Sequence, residues 1–301
     1  MALPSTVETI LVATDFSEDA AAALDWAATV ARERGARIVL AHSAMITAPA
    51  APEFIPLDGR FYGEMRAIAK KRLDDLAEGF RKAGLPVEAE LLAEPVVASI
   101  LSLAERCSAD VIVAGTRGLT GWKRLVLGSV AARLIRHAQC PVVTLHSADA
   151  KRHRPVRKIL IATDFSEDAA LAADAAARVL GEGGSDRKLV LLHVYHYPVV
   201  LSHEAPPAVA SSVEEVVESA GHQLAAIAAR ICREDVNVEF LVDQGLPSQA
   251  IIDQARRIDA DLIAMGTQGR SGIDRLFIGS TAERVLSAAP CPVLTVRMPT
   301  R

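Results

Sequence analysis

The sequence predicts two tandem α/β domains, each a doubly wound fold in which helices flank a five-stranded parallel sheet. Apolar runs without alternation recur between helical segments, which indicates strands that are buried on both faces. The whole pattern occurs twice, about 150 residues apart. In each copy the fourth strand leads into a loop whose glycines keep the same spacing, as phosphate-binding turns do in such sheets.

The internal repeat defines the domains. The octapeptide at 13–20 recurs letter for letter at 162–169. A unit this long exceeds the period of solenoid repeats, so each copy should be a complete domain. We place the first domain at 1–148, a charged linker at 149–156 and the second domain at 157–301.

The elements of the first copy follow a regular order. The strand at 9–13 runs into Thr14 and Asp15, and Ser17 is placed to cap a helix that Gly35 ends. The remaining expected elements are a strand at 37–42, a helix at 62–83, a strand at 88–92, a helix at 95–107, a strand at 111–114, a helix at 129–137 and a strand at 142–145. The second copy repeats this Rossmann-like order. We expect the final strands, 142–145 and 293–296, to be contact edges of an intramolecular pseudo-dimer.

Composition favours a soluble cytoplasmic protein. Half of the residues are hydrophobic and 23% are charged, as in ordinary globular chains. The net charge of −4 leaves neither half strongly basic, so we expect no nucleic-acid partner. Since no apolar run approaches membrane length and no signal peptide begins the chain, we expect no membrane partner either. The four cysteines show no C-x-x-C pairing, which fits a reducing compartment.

The glycine-spaced loop is the strongest functional signal. Its two copies are Gly115-Thr116-Arg117-Gly118 with Gly128-Ser129, and Gly266-Thr267-Gln268-Gly269 with Gly279-Ser280, each interrupted by nine residues. Glycine lets main-chain N–H groups approach phosphate oxygens, and the helix that follows directs its positive end there. Ligands of doubly wound sheets bind beyond the carboxyl ends of the strands, where this loop and Asp15 would meet. A tight turn without a ligand is the alternative.

The serines and aspartates of these segments have structural alternatives. Ser129 and Ser280 are each placed to cap the following helix, and Ser280 with Glu283 fits a capping box. Asp15 and Asp164 either stabilise a turn or bind the sugar hydroxyls or base of a nucleotide.

The order strand-Thr-Asp, G-x-x-G-x9-G-S and Cys-Pro-Val before a final strand resembles the universal stress protein family in its tandem form, over both copies. In the ATP-binding branch of that family the loop holds the phosphates and ribose, and the acidic residue lies by the adenosine. Main-chain groups of the second strand flank the base. The resemblance therefore implies ATP, with Mg²⁺ on its phosphates, in both domains. The residues implied for the first site are Thr14, Asp15, Ala41, Gly115, Arg117, Gly118, Gly128 and Ser129. Those implied for the second are Thr163, Asp164, Leu192, Gly266, Gln268, Gly269, Gly279 and Ser280.

The two sites are not expected to be equivalent. Arg117 of the first loop is replaced by neutral Gln268, and Glu94 by Gly245. Since these two changes act in opposite senses, we predict unequal affinities without ranking them. Trp122 would report on the first site unless it is buried at a domain contact.

The sequence favours a nucleotide-dependent sensor or switch of the stress response over an enzyme. No Walker-type loop, G-x-S-x-G elbow or clear general base is present, so hydrolysis should be slow at most. Pro/Ala-rich segments at 47–60 and 197–212 are the expected mobile lids. His193, His196 and His203 are interpreted as surface or core residues rather than as a metal site. The alternatives are an adenylyl or phosphoryl transferase and an interaction module with vestigial sites. A homodimer of the tandem chain is also compatible with the family.

Overall fold

The computed structural model describes residues 6–43, 59–92, 95–116, 127–146, 155–181, 186–195, 207–231, 236–269 and 277–298. The elements of the first domain are β1 (Thr9–Ala13), α1 (Glu18–Arg34), β2 (Arg37–Ser43), α2 (Gly59–Lys82), β3 (Val87–Leu92), α3 (Val96–Arg106), β4 (Val111–Gly115), α4 (Ser129–His137) and β5 (Val142–Leu145). Those of the second are β6 (Lys158–Ala162), α5 (Glu167–Leu180), β7 (Lys188–Tyr195), α6 (Pro207–Ile231), β8 (Asn237–Gln244), α7 (Pro247–Arg257), β9 (Leu262–Gly266), α8 (Ser280–Ala288) and β10 (Val293–Val296). The predicted alternation is confirmed, with bounds shifted by a few residues.

One continuous sheet runs through both domains. Its strand order is β3-β2-β1-β4-β5-β10-β9-β6-β7-β8, and the pairs within each domain are parallel. β5 and β10 pair antiparallel across the domain boundary, with Val143 opposite Leu294. The two strands expected as contact edges therefore join the domains into a ten-stranded sheet. In each half the order reverses between the first and fourth strands, which is the topological switch point of a doubly wound fold.

The core lies on both faces of the sheet. Along β1, Ile10 and Val12 pack with α1 and α2, whereas Leu11 between them packs with α3 and α4. All three are fully buried, because successive strand residues point to opposite faces and helices cover both. No helix in these ranges is long and apolar enough to cross a membrane.

The first helix of each domain is capped as the sequence predicts, but the fourth is not. The Ser17 hydroxyl accepts a hydrogen bond from the Ala20 N–H at 3.2 Å and caps α1, which Gly35 ends in the left-handed region. The capping interpretation of Ser129 and Ser280 is wrong. The N-caps of α4 and α8 are the preceding glycines, and each serine is the first helical residue.

A glycine occupies the N-cap because the end of the glycine-spaced loop folds back onto its start. The N–H of Gly279 donates to the carbonyl of Thr267 at 2.9 Å, and a Cβ on Gly279 would lie 3.1 Å from that oxygen. The capping position is thus taken by a residue without a side chain, and Ser280 with Glu283 forms no capping box.

Candidate functional site

A cavity of about 320 Å³ opens at the carboxyl ends of β6, β7 and β9, beside the start of α8. The topological switch point places these ends together. All of the residues implied for the second site line this cavity: Thr163, Asp164, Leu192, Gly266, Gln268, Gly269, Gly279 and Ser280. Residues from three segments distant in sequence therefore converge on one crevice.

The cavity is lined by both apolar and polar residues. Leu192, Val194, Ile251 and Met265 supply apolar lining. The polar part of the lining comes from Asp164, the 267–269 loop and the first turn of α8, whose N–H groups lack partners within the helix. This division suits a ligand with one flat apolar part and one anionic part.

Asp164 has the turn role considered for it, and its second carboxylate oxygen lies beside the glycine-spaced loop. Its Oδ1 accepts hydrogen bonds from the N–H of Ser166 at 3.1 Å and from the hydroxyl of Ser166 at 2.6 Å, so the aspartate stabilises the turn before α5. Its Oδ2 points toward the loop, because a Cβ on Gly269 would lie 2.8 Å from that oxygen. The turn therefore fixes a carboxylate at the edge of the cavity.

The first glycine of each loop has a packing role. A Cβ on Gly266 would lie 2.7 Å from the Cβ of Asp168, and one on Gly115 would lie 2.8 Å from the Cβ of Asp19. Glycine at these two positions lets the fourth strand of each domain contact the first turn of its first helix. This differs from the expected reason, which was close approach of the main chain to phosphate.

Two site-forming aspartates were not singled out from the sequence. Asp168 is 7% exposed, and its Oδ2 accepts hydrogen bonds from the Thr267 hydroxyl at 3.3 Å and the Gln268 N–H at 3.2 Å. In the first domain, Asp19 accepts one from the Thr116 hydroxyl at 2.8 Å. Both aspartates therefore anchor the start of the glycine-spaced loop, directly after the fourth strand of each domain. The signal was available, since both belong to the octapeptide that recurs unchanged.

His193 has a structural role on the second strand of its domain. Its Nδ1 lies 2.9 Å from the Thr163 carbonyl oxygen, and its ring stacks on Phe165 with centroids 4.4 Å apart. Phe165 has a positive φ of 65°, so this contact supports the bend between β6 and α5. No group of three potential metal-ligating side chains occurs within the described ranges. His196 and His203 lie outside them.

The first domain repeats the described part of this arrangement. The N–H of Thr14 donates to the Ala41 carbonyl at 2.9 Å, and that of Gly128 to the Thr116 carbonyl at 2.7 Å. Asp15 accepts a hydrogen bond from the Ser17 N–H at 3.0 Å. The predicted residues outside the described ranges are Arg117, Gly118, Glu94 and Trp122, together with most of both expected lid segments and of the linker.

Sequence comparison identifies the family. The model of the universal stress protein family matches residues 6–146 and 155–297, one match for each domain. The chain belongs to the universal stress protein family. This agrees with the resemblance stated from the motifs.

Relatives of the same tandem length support this assignment. A universal stress protein of Mycolicibacterium smegmatis is 30% identical, with 96% of each chain covered. One from Mycobacterium tuberculosis strain H37Rv is 29% identical over 99% of each chain. The crystal structure of a universal stress protein from Archaeoglobus fulgidus covers 96% of this chain and 98% of its own, at 24% identity and a TM-score of 0.67, and shows the shared fold.

Proposed function

We propose that both domains of this universal stress protein bind ATP, and that nucleotide occupancy switches the protein in a cytoplasmic stress response. The cavity of the second domain carries the proposal. Its lining brings the glycine-spaced loop, Asp164 and the start of α8 together at the switch point of the sheet. Its volume of about 320 Å³ lies in the range of small-molecule sites.

The described lining fits an adenine nucleotide part by part. The apolar wall beside Leu192 and Val194 would take the base, and Asp164 would accept hydrogen bonds from the sugar hydroxyls. The N–H groups of the 267–269 loop and of α8 would hold the phosphates. Mg²⁺ would offset phosphate charge, since no lysine or arginine is among the described lining residues.

We further propose that ATP is hydrolysed slowly or not at all. Asp164 is the acidic side chain of the described lining, and one of its oxygens is already engaged by Ser166. An efficient hydrolase needs a group free to orient water. Phosphate release at about 1 per second or faster would contradict this proposal of slow hydrolysis.

The test is calorimetric titration of the full chain with ATP and Mg²⁺. Asp164→Ala and Gly269→Val should each weaken binding at the second site about tenfold or more, because they remove the carboxylate or fill the space beside it. Asp174→Ala is the matched control: Asp174 pairs with Arg230 between α5 and α6 and does not line the cavity, so affinity should not change. No binding of ATP by the folded chain would overturn the proposal.

A further inference from the structure

The residue after the final strand of each domain crosses to the other domain. His146 follows β5, and its Nε2–H donates to the carbonyl of Leu286 in the last turn of α8 at 3.1 Å. Arg297 stands 151 residues later, at the equivalent place after β10, and its guanidinium donates to the carbonyl of Arg136 in the last turn of α4. The two contacts are therefore a pseudo-symmetric pair.

Both contacts satisfy carbonyl groups that a helix leaves open. The last carbonyls of a helix have no partner within it. Residue 290, whose N–H would otherwise serve Leu286, is a proline and has none. A donor at this end also interacts favourably with the helix dipole. Thus α4 and α8, the helices that follow the glycine-spaced loops, are each held at the carboxyl end by a residue of the opposite domain.

His146 and the segment that contains Arg297 also lie against the glycine-spaced loops. His146 Nδ1 lies 2.5 Å from the hydroxyl oxygen of Thr116, whose carbonyl accepts the N–H of Gly128 at the close of the first loop. In the second domain, Arg297 lines a cavity of about 230 Å³ together with Gln268 and Gly269. The N–H of the next residue, Met298, donates to Asp168, the aspartate that holds the second loop.

A continuous path therefore connects the two sites. It runs from the Thr116 loop through His146 to α8, whose first residue lines the second cavity. The reverse path runs from the 267–269 loop through Asp168 to Met298, and from the adjacent Arg297 to α4, which begins at the first loop. Contacts thus connect each loop to the helix that begins at the other site.

We propose that the two nucleotide sites are energetically coupled through His146 and Arg297, so that occupancy of one changes the affinity of the other. This rests on the proposed binding of ATP. His146 and Arg297 act as positioning residues: they hold the helices that would meet the phosphates, and neither is among the residues that line the cavity of the second domain.

The experiment is a thermodynamic cycle by calorimetry with ATP and Mg²⁺. The Gly118→Val and Gly269→Val chains each keep one site and give the association constant of that site alone. The native chain gives the overall association constant for filling both sites. The coupling factor is this overall constant divided by the product of the two single-site constants. We expect it to differ from one by about fivefold or more. His146→Ala combined with Arg297→Ala should bring it within about twofold of one.

His137→Ala is the matched control, because His137 ends α4 on the surface and should leave the factor unchanged. His146→Gln and Arg297→Lys keep a hydrogen-bond donor for the opposite helix and should preserve coupling. They keep the proposal testable if the double-alanine chain does not fold. Two independent sites in the native chain, or coupling that survives the alanine pair, would overturn this proposal alone. Absence of binding at both sites would overturn it together with the proposed function.

Discussion

Gly266 and Asp168 approach so closely that a Cβ on the glycine would lie 2.7 Å from the Cβ of the aspartate. The contact brings β9 against the first turn of α5, and the Asp168 carboxylate then reaches the loop that follows β9. Gly115 and Asp19 repeat this relationship in the first domain. The glycine that opens each loop thus makes room for the aspartate that holds the loop in place.

Gly266→Ala should destabilise the second domain by about 1–3 kcal/mol, the usual cost of overpacking. The new Cβ would meet main-chain and Cβ atoms of the α5 turn, which cannot rotate away. Denaturant unfolding measures the effect. Gly221→Ala is the control, because Gly221 lies in α6 with nothing within 4 Å of a built Cβ, and alanine should stabilise that helix by about 0.5–1 kcal/mol. Equal effects of the two changes would contradict the packing role.

Ser166→Ala should mainly lower stability, whereas Ser280→Ala should mainly weaken ATP binding. Ser166 caps α5 and also donates to Asp164, so its loss should cost about 1 kcal/mol or more of stability. Ser280 is the first residue of α8 rather than its cap and lines the cavity, so its loss should weaken ATP binding with little change in stability. Unfolding midpoints and calorimetric affinities separate the two. A large loss of stability in Ser280→Ala would contradict this assignment.

Arg178→Ala should cost about 3 kcal/mol, because it leaves Asp110 without its cation at the domain boundary. The Arg178 side chain is 9% exposed and that of Asp110 is 12% exposed. Arg230→Ala removes the partner of Asp174 at a site where the arginine is 47% exposed, and should cost less than about 1 kcal/mol. The measurement is the free energy of unfolding of both variants. A loss in Arg178→Ala no larger than that in Arg230→Ala would contradict a stabilising role for the Arg178–Asp110 pair at the domain boundary.

Cys140 should resist alkylation at pH 8. Burial raises the pKa of its thiol to about 12, and the thiolate is the reactive form. Since most thiols in an unfolded chain have a pKa of about 8.5, modification in the folded protein should be slower by roughly a thousandfold. Peptide mass spectrometry after iodoacetamide treatment, with and without guanidinium, measures the ratio. Similar rates in both conditions would show that Cys140 is accessible.

The repeat and the apolar runs were enough to predict the fold, because strands such as β1 are covered on both faces and leave a continuous apolar signature. The loop, Asp164 and Leu192 line one cavity, since the carboxyl ends of parallel strands meet at the same edge. Local signals of this kind depend on neighbours along the chain.

The features that were missed depend on contacts between distant segments. Capping by Ser280 fails because the loop returns to Thr267 and puts Gly279 at the cap. The role of Asp168 depends on its distance to β9, and that of His146 on the pairing of β5 with β10, neither of which a sequence pattern encodes.

Native mass spectrometry of the purified chain, before and after addition of ATP and Mg²⁺, tests the central claim most directly. Two adenine nucleotides bound to each chain is the expected result, with one site filling before the other. A folded chain that keeps its unliganded mass at saturating ATP would contradict the account.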